Sequence, residues 1–545
     1  MTDARTPQDS APQDGAALPE QIAQIKAGYE FAGAALDFGA AVKDGTAYPA
    51  ATVKIPLGVL NRHGLVAGAT GTGKTKTLQL MAEQLCAQGV PVFLADVKGD
   101  LSGVASPGVS NDKITARASD IGEQWTPTAY PVEFYSLGGQ GKGIPIRASI
   151  SSFGPTLLSK VLGLNETQES SLGLVFHYAD AKGLYLDDLK DLRAVVQYLT
   201  SDEGKADLKD LGGLSAATAG VILRELITFA DQGADVFFGL PEYDTADLLR
   251  TASDGRGLVS ILELPAVQDR PQLFSTFLMW MLADLFHDLP EVGDPDKPKL
   301  VFFFDEAHLL FSDASKDFLQ AITQTVRLIR SKGVGVFFVT QSPKDVPGDV
   351  LAQLGNRVQH ALRAFTPDDA KALRAAVSTY PKSGYDLESL LTSLGIGEAV
   401  ITVLSERGAP TPVAWTRMRA PQSLMGPSLE ALVDQTVAAS SVAGKYAVAN
   451  DRESAFEKLS AQEAAAQQAA AQQAAAQQAA RPADPGPAPA QPRERTAPAR
   501  RAQREEPTVV EQVVKSSVFK SMMRSAGTVI GREITRSIFG TARRR

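Results

Sequence analysis

Residues 64–75 read GLVAGATGTGKT, and this stretch decides the fold. It opens with apolar residues typical of a buried strand, and from Gly68 to Thr75 it fits the pattern G-x-x-x-x-G-K-[ST]. A helix-forming run, TLQLMAEQLCAQ, follows at 77–88. Glycines are needed here because the backbone must turn its N–H groups inward around a phosphate group. The pattern and its context therefore predict a phosphate-binding loop between a strand and a helix.

The residues of this loop share the binding of a nucleoside triphosphate. We expect the Lys74 ammonium to neutralise β- and γ-phosphate oxygens and the Thr75 hydroxyl to ligate Mg²⁺. The positive end of the following helix adds to the anion site. The predicted cofactors are ATP and Mg²⁺. The predicted nucleotide-binding residues are Gly68, Ala69, Thr70, Gly71, Thr72, Gly73, Lys74, Thr75 and Lys76.

A second stretch supplies the acidic groups that a magnesium-bound triphosphate needs. VFFFDEAH at 301–308 places Asp305 and Glu306 directly after four apolar residues. In open α/β sheets ligands bind at the carboxyl ends of the strands, where both carboxylates are predicted to lie. We expect Asp305 to hold the metal through a water and Glu306 to polarise the attacking water. The alternative is two solvated carboxylates at a strand end. The glutamate favours hydrolysis over nucleotide sensing.

Further polar residues end predicted strands at the same edge. Asp96 ends the strand in FLADVKGD, and we expect it to support the metal or the attacking water as a catalytic residue. The alternative is a loop aspartate that caps the next element. Gln341 ends GVGVFFVTQ and is expected to sense the γ-phosphate, against the alternative of an ordinary polar residue at a strand end. His308 is expected to be structural.

Arginines are candidates for completing the site from a neighbouring subunit. A single phosphate-loop domain lacks enough positive charge around the leaving γ-phosphate, and an arginine supplied in trans raises turnover by several powers of ten. The candidates are Arg327 and Arg330, near the end of one predicted helix, and Arg357, which opens a predicted strand. For the helix pair the alternative is a solvated helix end whose charges suit the helix dipole.

The rest of the chain alternates between apolar runs and helical patterns. Strand-like runs resume at GLVSILEL (257–264), RVQHALRA (357–364) and EAVITVL (398–404), and residues about 151–250 show apolar residues at helical spacing instead. Alternating strand and helix predicts a parallel sheet covered on both faces. The predicted fold class is therefore α/β, a RecA-like core interrupted by a helical insertion and followed by a helical and disordered C-terminal tail.

Composition divides the chain into segments. AAAQQAAAQQAAAQQAA (464–480) favours helix but offers no apolar stripe, so we expect a semi-rigid spacer rather than a coiled coil. The predicted segments are a disordered tail (1–20), the first part of the core (21–150), the helical insertion (151–250), the second part of the core (251–425), a helical extension (426–460), an Ala/Gln- and Pro-rich linker (461–506) and a basic amphipathic helix (507–545).

Charge and composition exclude several classes of protein. The formal net charge is −8, yet residues 491–545 carry 13 Lys and Arg against five Asp and Glu. The basic C-terminal helix could bind a membrane surface, a partner, nucleic acid or its own core. The single cysteine, Cys86, excludes an intramolecular disulfide and is expected to be buried. Without a signal peptide pattern or a membrane-spanning apolar run, the chain is predicted to be cytoplasmic with no integral membrane contact.

The order of GATGTGKT, VFFFDEAH, an arginine-bearing helix and GVGVFFVTQS resembles the HerA–FtsK branch of ring-forming ATPases, and within it the bacterial HerA-like proteins. RLIRSKGVGVFFVTQS is similar to the HerA stretch that carries an arginine finger, which falls on Arg330. The resemblance implies a hexamer that moves double-stranded DNA. Fewer than 70 residues precede the loop, and few read as strands, which argues against the N-terminal barrel that docks a nuclease partner in archaeal HerA.

Three functions fit these patterns. The first is an ATP-driven, homo-oligomeric DNA translocase or helicase. The second is a motor of the same core acting on protein substrates or assemblies, as in secretion and conjugation. The third is a nucleotide-dependent scaffold with weak turnover. The acidic net charge favours the second and third, because DNA contacts would have to be concentrated on pore loops or the basic tail.

Overall fold

The fold was obtained as a computed structural model, which describes residues 17–208, 211–311 and 316–479. Within these ranges twelve strands form one sheet. The strands are β1 Ala35–Lys43, β2 Thr46–Pro56, β3 Gly64–Ala67, β4 Val92–Asp96, β5 Val132–Leu137, β6 Ile144–Ile146, β7 Val259–Glu263, β8 Leu300–Phe304, β9 Val334–Thr340, β10 Asn356–Gln359, β11 Glu398–Thr402 and β12 Ala414–Met418.

Helices occupy most of the remaining described chain. They are α1 Glu20–Gly28, α2 Lys74–Ala87, α3 Asp112–Asp120, α4 Ile150–Val161, α5 Glu166–Ala181, α6 Leu189–Thr200, α7 Asp202–Asp207, α8 Ala216–Asp231, α9 Pro271–Asp288, α10 His308–Phe311, α11 Lys316–Ile329, α12 Gly348–Leu351, α13 Pro367–Val377, α14 Leu387–Ser393, α15 Glu430–Ala439, α16 Ala443–Tyr446 and α17 Ala455–Ala479.

The strand order explains how the predicted motifs come together. It runs β2-β1-β12-β11-β10-β3-β9-β8-β4-β7-β5-β6. From β10 to β6 every neighbouring pair is parallel, whereas β10 to β2 are joined by antiparallel pairs. Strand β9 lies between the strand that leads into the phosphate loop, β3, and the strand that precedes the acidic pair, β8. This arrangement is that of a RecA-like core, and it confirms the predicted fold class.

The sheet is buried on both faces because successive side chains point to opposite sides. Phe302 and Phe304 of β8 belong to the same apolar cluster as Leu226 of α8. Phe303 belongs to the opposite cluster together with Leu85 of α2. Helices α4–α8 lie where the sequence predicts a helical insertion, and they share a core with the sheet instead of forming one of their own. The insertion therefore covers one face of the ATPase-like sheet.

Several strands were not predicted. Few of the residues that precede β3 were expected to form strands, but β1 and β2 form a long antiparallel hairpin there. Strand β12 pairs with β1 and β11, and β5 and β6 extend the other end of the sheet. In β1 the expected alternation is hidden because Phe38 to Val42 are mostly buried on both faces and the register shifts near Gly39.

The predicted strand at 357–364 ends early, at Gln359. The next residues leave the sheet because their backbone binds the phosphate loop: the Ala69 N–H donates to the Ala361 carbonyl over 2.8 Å. Cys86 is fully buried among apolar side chains, as predicted.

A compact unit ends at Leu459, and α17 carries the Ala/Gln segment with exposed side chains as far as residue 477. The predicted N-terminal tail up to residue 16, the Pro-rich part of the linker and the basic helix at 507–545 lie outside the described residues. Across the described ranges, no helix combines the length and the hydropathy needed to cross a membrane. The division into segments otherwise stays a prediction.

Candidate nucleotide-binding and hydrolysis site

The phosphate loop joins β3 to α2 and is fixed by backbone hydrogen bonds on two sides. The Gly68 N–H donates to Thr340 O of β9 over 3.2 Å, and the Gly397 N–H donates to Thr72 O over 3.0 Å. Gly68 has no room for a side chain, since a Cβ there would lie 2.5 Å from Cβ of His360. The loop is therefore held in shape by its neighbours before any ligand binds.

Lys74, the first residue of α2, is 7% exposed. Its ammonium donates to the Ala69 carbonyl over 3.2 Å and so lies within the mouth of the loop. Burial lowers the pKa of Lys74, while the nearby carboxylates of Glu306 and Asp305 raise it again. Thr75 and Lys76 follow on the first turn of the helix, and both are partly exposed.

Asp305 follows β8 directly and is 5% exposed. Its Oδ1 accepts the Glu306 N–H over 2.9 Å, and its Oδ2 has no hydrogen-bond partner among the described residues. Burial, and then the charge of Glu306, raise the pKa of Asp305 to about 7. A buried carboxylate with one oxygen that lacks a partner is costly and is stabilised by a cation. The site therefore fits Mg²⁺, an oxygen-preferring ion that is bound by one or two carboxylates together with phosphates.

Glu306 adopts a left-handed backbone conformation, with φ of 48°. Such a conformation costs a residue other than glycine about 1–2 kcal/mol. Its Oε1 accepts a hydrogen bond from the Lys98 ammonium, and His308 Nδ1 lies 3.2 Å from Oε2. Burial raises the pKa of Glu306, but Lys98, His308 and Lys74 lower it further than burial raises it. Both oxygens of the proposed base are thus in contact with other side chains.

Lys98 was missed by the sequence analysis. It lies two residues beyond β4, the strand next to β8, so the sheet order brings it to Glu306. The available signal was its place in VKGD directly after a predicted strand, at the edge where the acidic pair was expected.

Asp96 is fully buried at the end of β4. Its Oδ1 accepts the N–H groups of Lys98 and Gly99 over 3.2 and 2.8 Å, and its Oδ2 accepts the Leu101 N–H over 2.8 Å. These bonds match the loop-capping alternative, since the carboxylate holds the segment that carries Lys98. Burial raises the pKa of Asp96 to about 6.

Glu263 was also missed by the sequence analysis. It ends β7 and pairs in register with Asp96. Burial, and then the charge of Asp96, raise the pKa of Glu263 to about 8, which keeps its carboxyl group protonated at neutral pH.

Gln341 follows β9 directly and lines an open cleft of about 580 Å³ next to the phosphate loop. Ala69, Thr70 and His308 line the same cleft. Arg363, a residue the sequence analysis did not single out, lies there too and donates to the Thr70 carbonyl over 3.3 Å. The structure thus brings Gln341 to the place from which a γ-phosphate could be sensed, between the loop and the acidic pair.

Two of the three candidate arginines, Arg327 and Arg330, lie at the opposite edge of the sheet. Arg330 comes before β9 and lies 3.3 Å from the exposed carboxylate of Asp294. Arg357 is the second residue of β10, close to the carboxyl end of that strand, and donates to the Thr379 hydroxyl. Arg327 is exposed one turn earlier than Arg330. Since the seven residues of β9 rise about 3.3 Å each, roughly 23 Å of strand separates Arg330 from the phosphate edge of its own chain.

The chain is similar to several known proteins. The family model described as "Helicase HerA-like C-terminal" matches residues 42–545. The DNA double-strand break repair helicase HerA of Sulfolobus acidocaldarius is 22% identical over 353 residues, which cover 64% of each chain. The probable DNA double-strand break repair helicase HerA of Methanocaldococcus jannaschii is 42% identical over 72 residues, which cover 13% of each chain. The chain thus spans 64% of the length of the first of these curated relatives.

Among solved structures, the bacterial conjugative coupling protein TrwBdeltaN70 matches with a TM-score of 0.49 and 17% identity, over 74% of this chain and 99% of that one. VirB4 of Thermoanaerobacter pseudethanolicus matches with a TM-score of 0.44 and 14% identity, over 71% and 97%. The family assignment rests on the model that matches residues 42–545, and it confirms the resemblance found in the sequence. The chain therefore belongs to the helicase HerA-like C-terminal family.

Proposed function

We propose that this protein hydrolyses ATP with Mg²⁺ and uses the energy to move double-stranded DNA. One observation carries the first half: the ammonium of Lys74 and the carboxylates of Asp305 and Glu306 are buried at one edge of the sheet, close enough for each to shift the pKa of another. Phosphoryl transfer to water requires a phosphate loop close to an acidic pair, with a polar side chain such as Gln341 between them.

The residues then have distinct roles. Backbone N–H groups of the loop and the Lys74 ammonium bind the β- and γ-phosphates. Thr75 and Asp305 would hold Mg²⁺, which neutralises charge that develops on the phosphate oxygens. Glu306 accepts the proton of the attacking water, for which its carboxylate must first leave Lys98. Gln341 orients the γ-phosphate or the water, and Asp96 positions the loop that carries Lys98.

We also propose that identical subunits form a ring. The number of subunits, six, is what the family resemblance of the sequence implies. The ring is supported by the position of Arg327 and Arg330 at the amino edge, because the length of β9 separates Arg330 from the chain's own phosphate loop. In a ring, one subunit's arginine edge faces the phosphate edge of the next, and an arginine supplied in this way stabilises the charge of the transition state. Arg330 is the candidate we favour.

DNA is proposed as the substrate because relatives of this family carry the name of DNA double-strand break repair helicases. The net charge of −8 favours the alternative, a motor that acts on protein. We also propose that the protein works in the cytoplasm, whether its substrate is DNA or protein. The proposal does not include a nuclease partner.

The test is ATP turnover of the full chain with and without linear duplex DNA at low salt. We expect turnover that requires Mg²⁺ and rises with duplex DNA. Turnover without any response to DNA, combined with no DNA binding, would contradict the translocase and favour the protein motor. No turnover under any condition would contradict the ATPase itself.

A further inference from the structure

The sheet order determines where the nucleoside end of a bound nucleotide must lie. The acidic pair follows β8 and Gln341 follows β9, both on one side of β3, so the γ-phosphate lies on that side. On the other side of β3 is β10, followed by residues 360–366. Because the loop N–H groups surround the β-phosphate, the nucleoside has to leave the loop toward β10.

A cavity of about 370 Å³ lies there. The phosphate loop contributes Ala69 and Thr72 to its wall, and the segment after β10 contributes Ala361 to Phe365. The remaining wall residue is Thr392 of α14. The volume is within the range of small-ligand sites, and the wall directly continues that of the phosphate site.

Phe365 stands out in this wall because its side chain is 83% exposed. An aromatic ring of this size left in water forgoes the stabilisation that burial would supply. At the rim of a cavity that begins at a phosphate loop, a flat ring matches one ligand in particular, a nucleobase, which stacks on aromatic faces.

We propose that the cavity beside Ala69 and Thr72 binds the nucleobase of the triphosphate and that Phe365 stacks on it. This inference rests on the proposed function and adds the subsite that holds the base. The guanidinium of Arg363, bonded to the Thr70 carbonyl, lies between this cavity and the cleft on the γ-phosphate side and lines both.

The side chains of the cavity wall also predict which nucleobases this cavity binds. Apart from Arg363, its side chains after β10 are Ala, Leu and Phe, which offer no hydrogen bond to a base edge. The Thr392 hydroxyl donates to the carbonyls of Glu388 and Ser389 in its own helix. Stacking alone tolerates every base, because each has a π-face. While the Arg363 guanidinium stays bonded to the Thr70 carbonyl, stacking dominates base binding, and ATP and GTP should bind with similar affinity.

The experiment compares ATP with inorganic tripolyphosphate, which has the same phosphates but no base. Binding of both, with Mg²⁺, is measured by calorimetry on the full chain and on Phe365→Ala. We expect the variant to bind ATP about tenfold more weakly and tripolyphosphate unchanged. Phe365→Trp should restore ATP binding, since it keeps an aromatic face.

Ile396→Ala is the matched control. Ile396 is an apolar side chain, 76% exposed, that does not line the cavity, and its loss should leave both affinities unchanged. Equal ATP affinity in wild type and Phe365→Ala would overturn the inference, and so would an equal loss for both ligands. If wild type binds neither ATP nor tripolyphosphate, the proposed function fails and the inference fails with it. GTP bound more than about tenfold more weakly than ATP would overturn the base tolerance alone.

Discussion

The two edges of the parallel sheet differ in burial and in how completely their charges are paired. At the carboxyl edge Lys74, Asp305 and Glu306 are each less than 10% exposed, and hydrogen bonds hold them in place. At the amino edge the side chain of Arg330 is 44% exposed, and its partner, Asp294, is 61% exposed. Exposed ion pairs of this kind contribute little to stability.

The difference indicates that the edges have different tasks. Burial at the carboxyl edge prepares a binding site within one chain, because charges in a water-poor pocket act strongly on a ligand. The exposed arginines at the amino edge have weak partners and can exchange them for a neighbour's nucleotide. Four predictions test this comparison, beginning with the largest effect.

Arg330→Ala should lower turnover at least about a thousandfold, the range seen when an arginine supplied in trans is lost, and leave ATP binding intact. Turnover and nucleotide affinity are measured on the same preparation. Mixing this variant with Lys74→Ala should restore part of the activity, because the Lys74→Ala subunit still supplies Arg330 to an intact neighbouring site.

Arg327→Ala, from the same edge, and Arg357→Ala, from within β10, serve as comparisons, and each should stay within a few-fold of wild type. If Arg330→Ala retains activity and Arg357→Ala loses it, Arg357 takes the role in trans. If none of the three loses turnover, the amino edge has no catalytic task.

Glu306→Gln should lower turnover by a factor of about a hundred to a thousand, the usual contribution of a general base, while ATP still binds. The amide has nearly the same shape as the carboxylate but cannot accept the proton of the water. Single-turnover hydrolysis and ATP affinity measure the two effects separately. Glu430→Gln, the same change at an exposed glutamate on α15, is the control. A loss of only a few-fold would remove Glu306 from this role.

Each edge also holds one buried histidine, His63 before β3 and His360 after β10. Burial lowers the pKa of both to about 4. In an unfolded chain the pKa is about 6.5, so the unfolded state takes up a proton first as the pH falls. Stability is therefore fully present above pH 6.5 and is lost as the pH falls from 6.5 toward 4. On lowering the pH from 7 to 5, each histidine should lower the free energy of unfolding by about 2 kcal/mol.

His63→Asn tests this at the amino edge. The asparagine oxygen can still accept the Val336 N–H, which donates to His63 Nδ1 over 3.1 Å. Urea unfolding at pH 7 and pH 5 should show about 2 kcal/mol less acid sensitivity in the variant than in wild type. An unchanged difference between the two pH values would show that His63 titrates normally.

Lys98→Met should have the smallest effect, an increase in turnover without DNA of roughly threefold. The ion pair with Glu306 lowers the proton affinity of the carboxylate, so its loss makes Glu306 a stronger base. Lys98→Arg, which keeps the charge, should behave as wild type. A fall in turnover in Lys98→Met, reversed in Lys98→Arg, would instead place the ammonium on the phosphates.

Much of the site could be predicted because its residues adjoin unmistakable local patterns. The phosphate loop is contiguous, Asp305 directly follows an all-apolar run, and Gln341 follows an apolar run that ends in Thr340; runs of this length are typical of buried strands. Lys98 and Glu263 could not be predicted in the same way. Each depends on which strands are neighbours, β4 with β8 and β4 with β7, and strand order is not a local property.

The fold was predictable to a similar degree. The parallel strands other than β5 and β6 were recognised because they are buried on both faces and read as continuous apolar runs. The hairpin of β1 and β2 was missed because its strands are rich in alanine and contain Gly39, Pro49 and Pro56. It is stabilised by pairing with β12, more than 350 residues later.

The sequence by itself determined that this chain has a phosphate loop, an acidic pair and a RecA-like order of strands and helices, because each is written in short-range spacing. Only the tertiary structure determines that the Lys98 ammonium binds the Glu306 carboxylate and that Asp96 caps the loop after β4. It also determines that Arg330 lies at the edge of the sheet opposite its own chain's nucleotide site. These contacts depend on which distant segments become neighbours. That arrangement is determined by burial of the whole sheet between its two apolar clusters.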